Sequence, residues 1–450
     1  MHSTAAVGSQ EALVAQVCEQ VERMVRELVI GGGDGEPALA ELEQMVLGRL
    51  KEVGNVLLGE LCQLRAPRYP GGHVACPCGA KAVYQRQRTG QCKTLLGTIR
   101  LTRAYYLCPQ CHQGFCPLDQ QLGFCAGSIS AGLDELLALL GGQYSFAHSA
   151  ALVARLTLVQ VSAGRCRKST EALGQQVVVA EEEQRQQVWE QPTPYVSPIC
   201  PTPLDPLYVS ADGVTVHTRE SGWREQCVGA VYTAHPQRGH LRSQQATYVT
   251  DLGSRTRFSQ QLWLEAQRRG LPQAQRVVFI GDGAQWLWEM AHDLFPEALQ
   301  ILDWYHASTY VWAVAQEVHP TDATAAKQWA ETHLALLAHS QTDQLLLQLE
   351  ALAASLPAAR TALTYLTNNR SRLDYARYRQ LGLQIGSGTI ESACNHLIGA
   401  RLKQSGMRWT LANARAVAKL RARLKSDRWL ETLSLRKPPH RTYQRRTLPS

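Results

Sequence analysis

Two spacings of hydrophobic positions alternate along the chain. From residue 10 to 66, EALVAQVCEQVERMVRELV and ALAELEQMVLGRLKEVGNVLLGELC place apolar residues three and four apart, separated by the breaker GGGDGEP. That spacing predicts two helices, an assembly or packing element for which a coiled dimer seam is one option. Between 73 and 119 the pattern changes, and Thr98 to Leu107 is rich in β-branched and aromatic residues, as in a strand. Residues 134–178 return to helical spacing. From 207 onward LYVSADGVTVHTRE, WREQCVGAVYTA and QATYVTDL read as strands and FSQQLWLEAQRRG as a helix. RVVFIGDGAQWLW then runs an apolar strand straight into Gly-Asp-Gly. The 108 residues between Asp282 and Glu391 are almost wholly helix-like, as in ATAAKQWAETHLALLAHS and TDQLLLQLEALAASL.

This order predicts a multidomain α/β protein. A helical region spans 1–70, a zinc-ribbon-like module 71–120 and a helix-turn-helix region 121–180. The charged, then proline-rich stretch 181–206 reads as a linker, with a domain boundary near 200. Three antiparallel strands, a helix and a further strand open a ribonuclease H-like core at 207–310. A helical insertion follows at 311–380, the rest of the core at 381–428 and a basic tail at 429–450.

Composition narrows the class. The 450 residues are 45% hydrophobic and 19% charged, enough for about two to four domains. No apolar run approaches a membrane span, and the first twenty residues lack a basic segment followed by an apolar one. With thirteen cysteines, the expectation is a cytoplasmic, nucleoid-associated bacterial protein whose thiols are reduced or ligate metal. Charge is unevenly placed. Residues 401–450 hold fourteen Lys/Arg against two Asp/Glu, so the net +8 of the chain leaves about −4 over the other 400 residues. A basic block on a mildly acidic body suits a polyanion partner, most simply double-stranded DNA.

Three constellations carry chemistry. Cys76/Cys78 and Cys108/Cys111 are close thiol pairs bracketing strand-like sequence, the pattern of a tetrahedral four-sulfur structural zinc site. The first pair, C-P-C-G, is one residue shorter than the usual knuckle, so His73 and Cys116 stand as alternative ligands. In AHSAALVARLT–LVQ–VSAGRCRKSTEALGQQV, Ser162 is placed to cap a second helix. Arg165, Arg167 and Lys168 fall early in that helix, where a recognition helix meets DNA. The third constellation is acidic. Asp212 in Ala-Asp-Gly and Asp282 in Gly-Asp-Gly close two strands that a ribonuclease H-like sheet sets side by side. Glu391 follows Gly386 and Gly388 at the start of a helix running through Ala400. Neighbouring carboxylates repel, and Mg²⁺ or Mn²⁺ is the oxygen-seeking ion that relieves them. ILDWYH adds Asp303-x-x-His306, with His306 positioned to donate to a phosphate and Asp303 to orient its ring. Arg401, Lys403 and Arg408 are placed to touch DNA phosphates.

Taken in order, TLLGTIRLTRAYYLCPQCHQGFCPLD, SADG, FIGDGAQWLW, LDWYH and GSGTIESACNHLIGARLKQSGMRW resemble insertion-sequence transposases of the ISKra group, on the Mutator-like branch of the DDE transposases. The resemblance runs from the ribbon to Arg423. It implies that Asp212, Asp282 and Glu391 form the DDE triad and that Asp303 and His306 match a [CD]-x-x-H signature. It also implies an all-helical insertion before the glutamate. A competing alignment makes Asp303 the second acid. The expected function is metal-dependent cleavage and strand transfer at terminal inverted repeats by a homodimer or higher homo-oligomer. A domesticated DNA binder that no longer cuts and a ribonuclease H-like nuclease without strand transfer are the alternatives.

Overall fold

Apolar spacing turns into two separate compact units. The computed structural model describes residues 3–30, 38–65, 71–124, 127–190, 195–197, 199–436 and 443–444. One unit comprises residues 1–170 with 436–450, the other 171–435. The GGGDGEP breaker lies outside the described residues, as does most of the basic tail. Among the described residues no helix is long and apolar enough to cross a membrane.

In the first unit, helices α1 (Ser3–Ile30) and α2 (Leu39–Leu64) precede a sheet of β1 (His73–Ala75), β2 (Lys81–Thr94), β3 (Gly97–Leu107) and β4 (Gln113–Phe115), paired antiparallel in that order. Gln63 of α2 docks on β3: its Oε1 accepts the Thr102 N–H at 2.9 Å and its Nε2 donates to the Thr102 carbonyl at 3.1 Å. Helix α3 (Pro117–Leu122) and the short strand β5 (Ser128–Ile129) lead to α4 (Ala131–Gln143) and α5 (Phe146–Thr157). Helix α6 (Ala163–Trp189) follows. Leu133, Leu137, Val153 and Cys166 from α4, α5 and α6 form one core here. The Ser162 hydroxyl accepts the Arg165 N–H at 3.2 Å, the cap expected from sequence.

Helix α6 corrects the expected linker. It continues through Trp189, and the division between units falls inside it rather than near 200. The run EEEQRQQVWE reads as solvated chain, yet Arg185 pairs with Glu182 one turn back at 2.8 Å and Glu181 is drawn inward by Lys419 and Arg423. These contacts keep a polar segment helical.

The second unit is built on β6 (Leu207–Thr218), β7 (Gly222–Gln237), β8 (His240–Leu252), β9 (Val277–Gly281) and β10 (Leu299–Leu302), with α7 (Arg255–Arg268) and α8 (Gln285–Leu294) between them. The sheet order is β10–β9–β6–β7–β8, with β6, β9 and β10 parallel and β6–β7–β8 antiparallel. Val278, Phe279 and Ile280 are fully buried, as an unbroken apolar strand in the interior of a covered sheet should be. Five helices follow: α9 (Trp304–Val318), α10 (Ala323–Ala338), α11 (Thr342–Ala353), α12 (Pro357–Asn368) and α13 (Tyr375–Gln380). The chain then returns to the sheet through α14 (Gly388–Ala393), a π-helical turn (Cys394–Gly399), α15 (Ala400–Leu402), α16 (Leu411–Lys425) and α17 (Trp429–Ser434).

Candidate metal centres and the acidic rim

Register explains why acids far apart in sequence meet. Ser210 pairs with Ile280 across β6 and β9, so Asp212 and Asp282, each two residues further on, stand level. Asp282 lies just past the end of β9 and Asp212 inside β6, which runs unbroken through Gly213 to Thr218 rather than closing at the acid as its sequence suggests. Leu302 pairs with Gly281, which sets Asp303 level with Asp282 on the next strand out. Three aspartates therefore stand level on neighbouring strands, Asp282 and Asp303 at the carboxyl ends of β9 and β10 and Asp212 within the longer β6 beside them.

Their surroundings differ. Asp212 is partly buried, and one of its oxygens accepts the N–H of Gly213 at 2.6 Å. The other faces the thiol of Cys394 at 3.6 Å. Burial pushes the Asp212 carboxyl above its ordinary range. The nearby charges of Asp282 and Glu391 push the same way, while the Gly213 N–H and the Cys394 thiol pull it back. Asp282 is half-exposed, and its Oδ1 accepts the Ala284 N–H at 3.0 Å. Gly283 turns the chain at φ +96°, and a Cβ there would stand 2.7 Å from the ring of Tyr365, so the second glycine of Gly-Asp-Gly is required twice over. The Tyr365 hydroxyl donates to the Asp282 carbonyl at 2.5 Å. Burial pushes the pKa of that hydroxyl up, keeping the proton available for the bond. Asn369 braces this corner by accepting from Trp288 Nε1 at 2.8 Å and donating to the Tyr365 carbonyl at 2.9 Å.

Asp303 is saturated instead. Its carboxylate is buried and accepts four hydrogen bonds, from the N–H groups of Tyr305, His306 and Ser387 and from the Ser387 hydroxyl, at 2.9 to 3.2 Å. The expected Asp303 contact to the His306 ring is corrected here: Asp303 caps α9 and bonds the His306 backbone. The ring lies exposed, 6.0 Å from Tyr310 and 6.2 Å from Tyr365 between centroids. Ser387 links Asp303 to Glu391, whose Oε1 lies 3.1 Å from the same hydroxyl. Glu391 is exposed at the start of α14. Sequence reasoning missed Ser387, Tyr365, Asn369 and Cys394, because each acts through a partner more than eighty residues away or through a loop without a recognisable pattern.

The four cysteines of the first unit come together. Cys76 and Cys111 sulfurs are 3.6 Å apart, as are those of Cys78 and Cys108. All four lie within 4.8 Å of one another, the group among the described residues whose metal-type donor atoms are drawn that tightly. Zn–S bonds in a tetrahedron put sulfurs roughly 3.8 Å apart, so the cluster fits structural zinc despite the short first knuckle. Neither His73, exposed on β1, nor the buried Cys116 belongs to the group. The rim carboxylates are more open than this.

A family model described as an uncharacterised protein family, UPF0236, matches residues 38–432, taking in the cysteine cluster and every acid above. The chain is a UPF0236 protein. No curated protein matches it.

The basic residues expected to meet DNA divide in this UPF0236 chain. Arg167 and Lys168 are exposed on α6, and Arg165 is half-buried. Lys403 and Arg408 are exposed. Arg401 is not available: it is fully buried, its guanidinium 5.0 Å from the centre of the Trp409 ring. Burial lowers it to about 10. A π-turn adds a residue to the helical repeat, so the segment after Glu391 turns Arg401 inward where a regular helix through Ala400 was expected.

Proposed function

We propose that this protein is an insertion-sequence DNA transposase of the DDE type, similar to the ISKra group, that cleaves DNA at terminal inverted repeats and joins the freed 3′-end to target DNA. The observation that carries the reading is the convergence of Asp212, Asp282 and Glu391 at one sheet rim, close enough for the two other acids to raise the Asp212 carboxyl. The strand order β10–β9–β6–β7–β8 with a helical insertion ahead of Glu391 supports a ribonuclease H-like core. Three carboxylates at a partly open rim suit Mg²⁺ or Mn²⁺. Asp282 is the second acid and Asp303 a positioning residue, because every lone pair of Asp303 that faces the protein is engaged.

When bound there, the divalent ions would supply an activated water or 3′-hydroxyl and charge neutralisation at the leaving oxygen. The chain's own residues do the positioning. Gly213 and Cys394 fix the Asp212 carboxylate, Tyr365 pins the turn bearing Asp282, and the Asp303–Ser387 pair aims Glu391. His306 is exposed to donate to the scissile phosphate. The helix-turn-helix of α5 and α6 and a zinc-held ribbon at Cys76, Cys78, Cys108 and Cys111 bind the terminal repeats. The chain works as a homodimer or higher homo-oligomer, since two ends are processed together. Asp212→Ala is expected to abolish strand cleavage in Mg²⁺ while end binding persists. Cleavage at the wild-type rate in that variant would remove Asp212 from the site.

A further inference from the structure

Beyond the rim, β6 and β7 continue as a two-stranded hairpin, and its tip carries an unusual pairing of groups. Trp223 is 64 % exposed, alone among tryptophans in the set of exposed large hydrophobic residues. His217, its cross-strand partner, packs edge-on against it at 5.3 Å and limits its swing. Arg219 and Arg224 flank it, both exposed and neither ion-paired among the described residues.

The tip is held to a second basic segment. Thr218 bridges to Trp409, the Arg219 N–H donates to the Trp409 carbonyl at 2.8 Å, and Glu220 accepts the Leu411 N–H at 3.0 Å. Trp409 Nε1 in turn donates to the Leu402 carbonyl at 3.1 Å. These bonds fix the backbone beside exposed Lys403 and Arg408 to the hairpin. Among the described residues, four cations without an ion pair and one caged but exposed indole thus share the tip, with Glu220 hydrogen-bonded to the first residue of α16.

We propose that the β6–β7 tip is a base-stacking platform for unpaired DNA, with Trp223 stacking on a base and Arg219, Arg224, Lys403 and Arg408 gripping the adjoining phosphates. Cations tracking a backbone beside an aromatic face are the combination single strands require. An apolar protein partner would not be met by four cations set against the single carboxylate of Glu220. The choice of DNA as ligand rests on the function proposed above.

Fluorescence anisotropy with the full-length chain tests this, using a labelled mixed-sequence single strand and the matching duplex. Trp223→Ala is expected to weaken single-strand binding about tenfold and duplex binding far less, and Trp223→Phe to restore most of the loss. Arg219→Gln with Arg224→Gln should weaken both probes and flatten the single-strand salt slope by about 1.4. Thermal melting should be unchanged in all three, since the altered side chains are exposed. The inference is overturned if Trp223→Ala binds the single strand as wild type does, or if a poly-glutamate peptide displaces the DNA at equal concentration. Binding needs no cleavage. A chain that binds through Trp223 but never cuts DNA would count against the transposase reading alone. One that cuts DNA yet binds single strands equally well without Trp223 would count against the platform alone.

Discussion

Replacing Glu181 with Gln should cost the protein about 3 kcal/mol at neutral pH, and the cost should vanish in acid. Glu181 lies on α6 with its side chain 18 % exposed, accepting from Lys419 Nζ and Arg423 Nε, both at 2.8 Å. Burial alone would raise its carboxyl, but the two cations overcome burial and hold it at about 2, against an ordinary 4.5. That gap corresponds to about 3 kcal/mol of folding stability. A carboxyl depressed by folding contributes fully above its unfolded value and loses the contribution as pH falls through its folded one. The difference between wild type and Glu181→Gln should thus be full above about pH 5, roughly half near pH 3 and small at pH 2. For a unit of this size it lowers melting by roughly 6–12 °C at pH 7. Urea titrations across that range, at fixed ionic strength, measure it. Equal stability at pH 7, or a deficit that persists at pH 2, would refute the reasoning. The site depends on this contact indirectly. Lys419 and Arg423 sit on α16, and Arg421 of the same helix donates to the Leu397 carbonyl at 2.6 Å, within the turn that follows Glu391.

Two further outcomes follow from the geometry. Ser387→Ala removes the hydroxyl shared by Asp303 and Glu391, so single-turnover cleavage should fall about 10- to 100-fold, more than the loss of about 1–3 kcal/mol of stability from the unmade bond to buried Asp303 would produce below the melting transition. Metal analysis of the purified chain should find one zinc per molecule, and Cys108→Ala should lose it and unfold the ribbon. Cys108 is buried in the small core of Cys76, Ala82, Tyr106 and Phe115, which has little else to hold it.

Much of the sheet was legible because its signals are local. The apolar run before Gly-Asp-Gly announced a buried strand, and the separation of Asp212 from Asp282 turned out to equal the register offset between β6 and β9. The thiol pairs also pointed correctly, since four cysteines on two turns have few other uses. Signals that depend on contact were not legible. Glu181–Trp189 looked like a linker because its helix is stabilised by cations more than two hundred residues away. Arg401 looked available because a π-turn leaves no mark in composition or spacing. The support given by Tyr365 and Asn369 arises only once the helical insertion folds back on the rim, and that of Ser387 only once the chain returns to the sheet after it.

Anomalous diffraction from crystals soaked in Mn²⁺ tests the catalytic assignment most directly. The account requires a manganese peak bounded by the carboxylates of Asp212, Asp282 and Glu391, lost in Asp212→Asn crystals, with Asp303 still bonded to Ser387. A peak ligated by Asp303 in place of Asp282, or a rim left without manganese at saturating concentration, would contradict it.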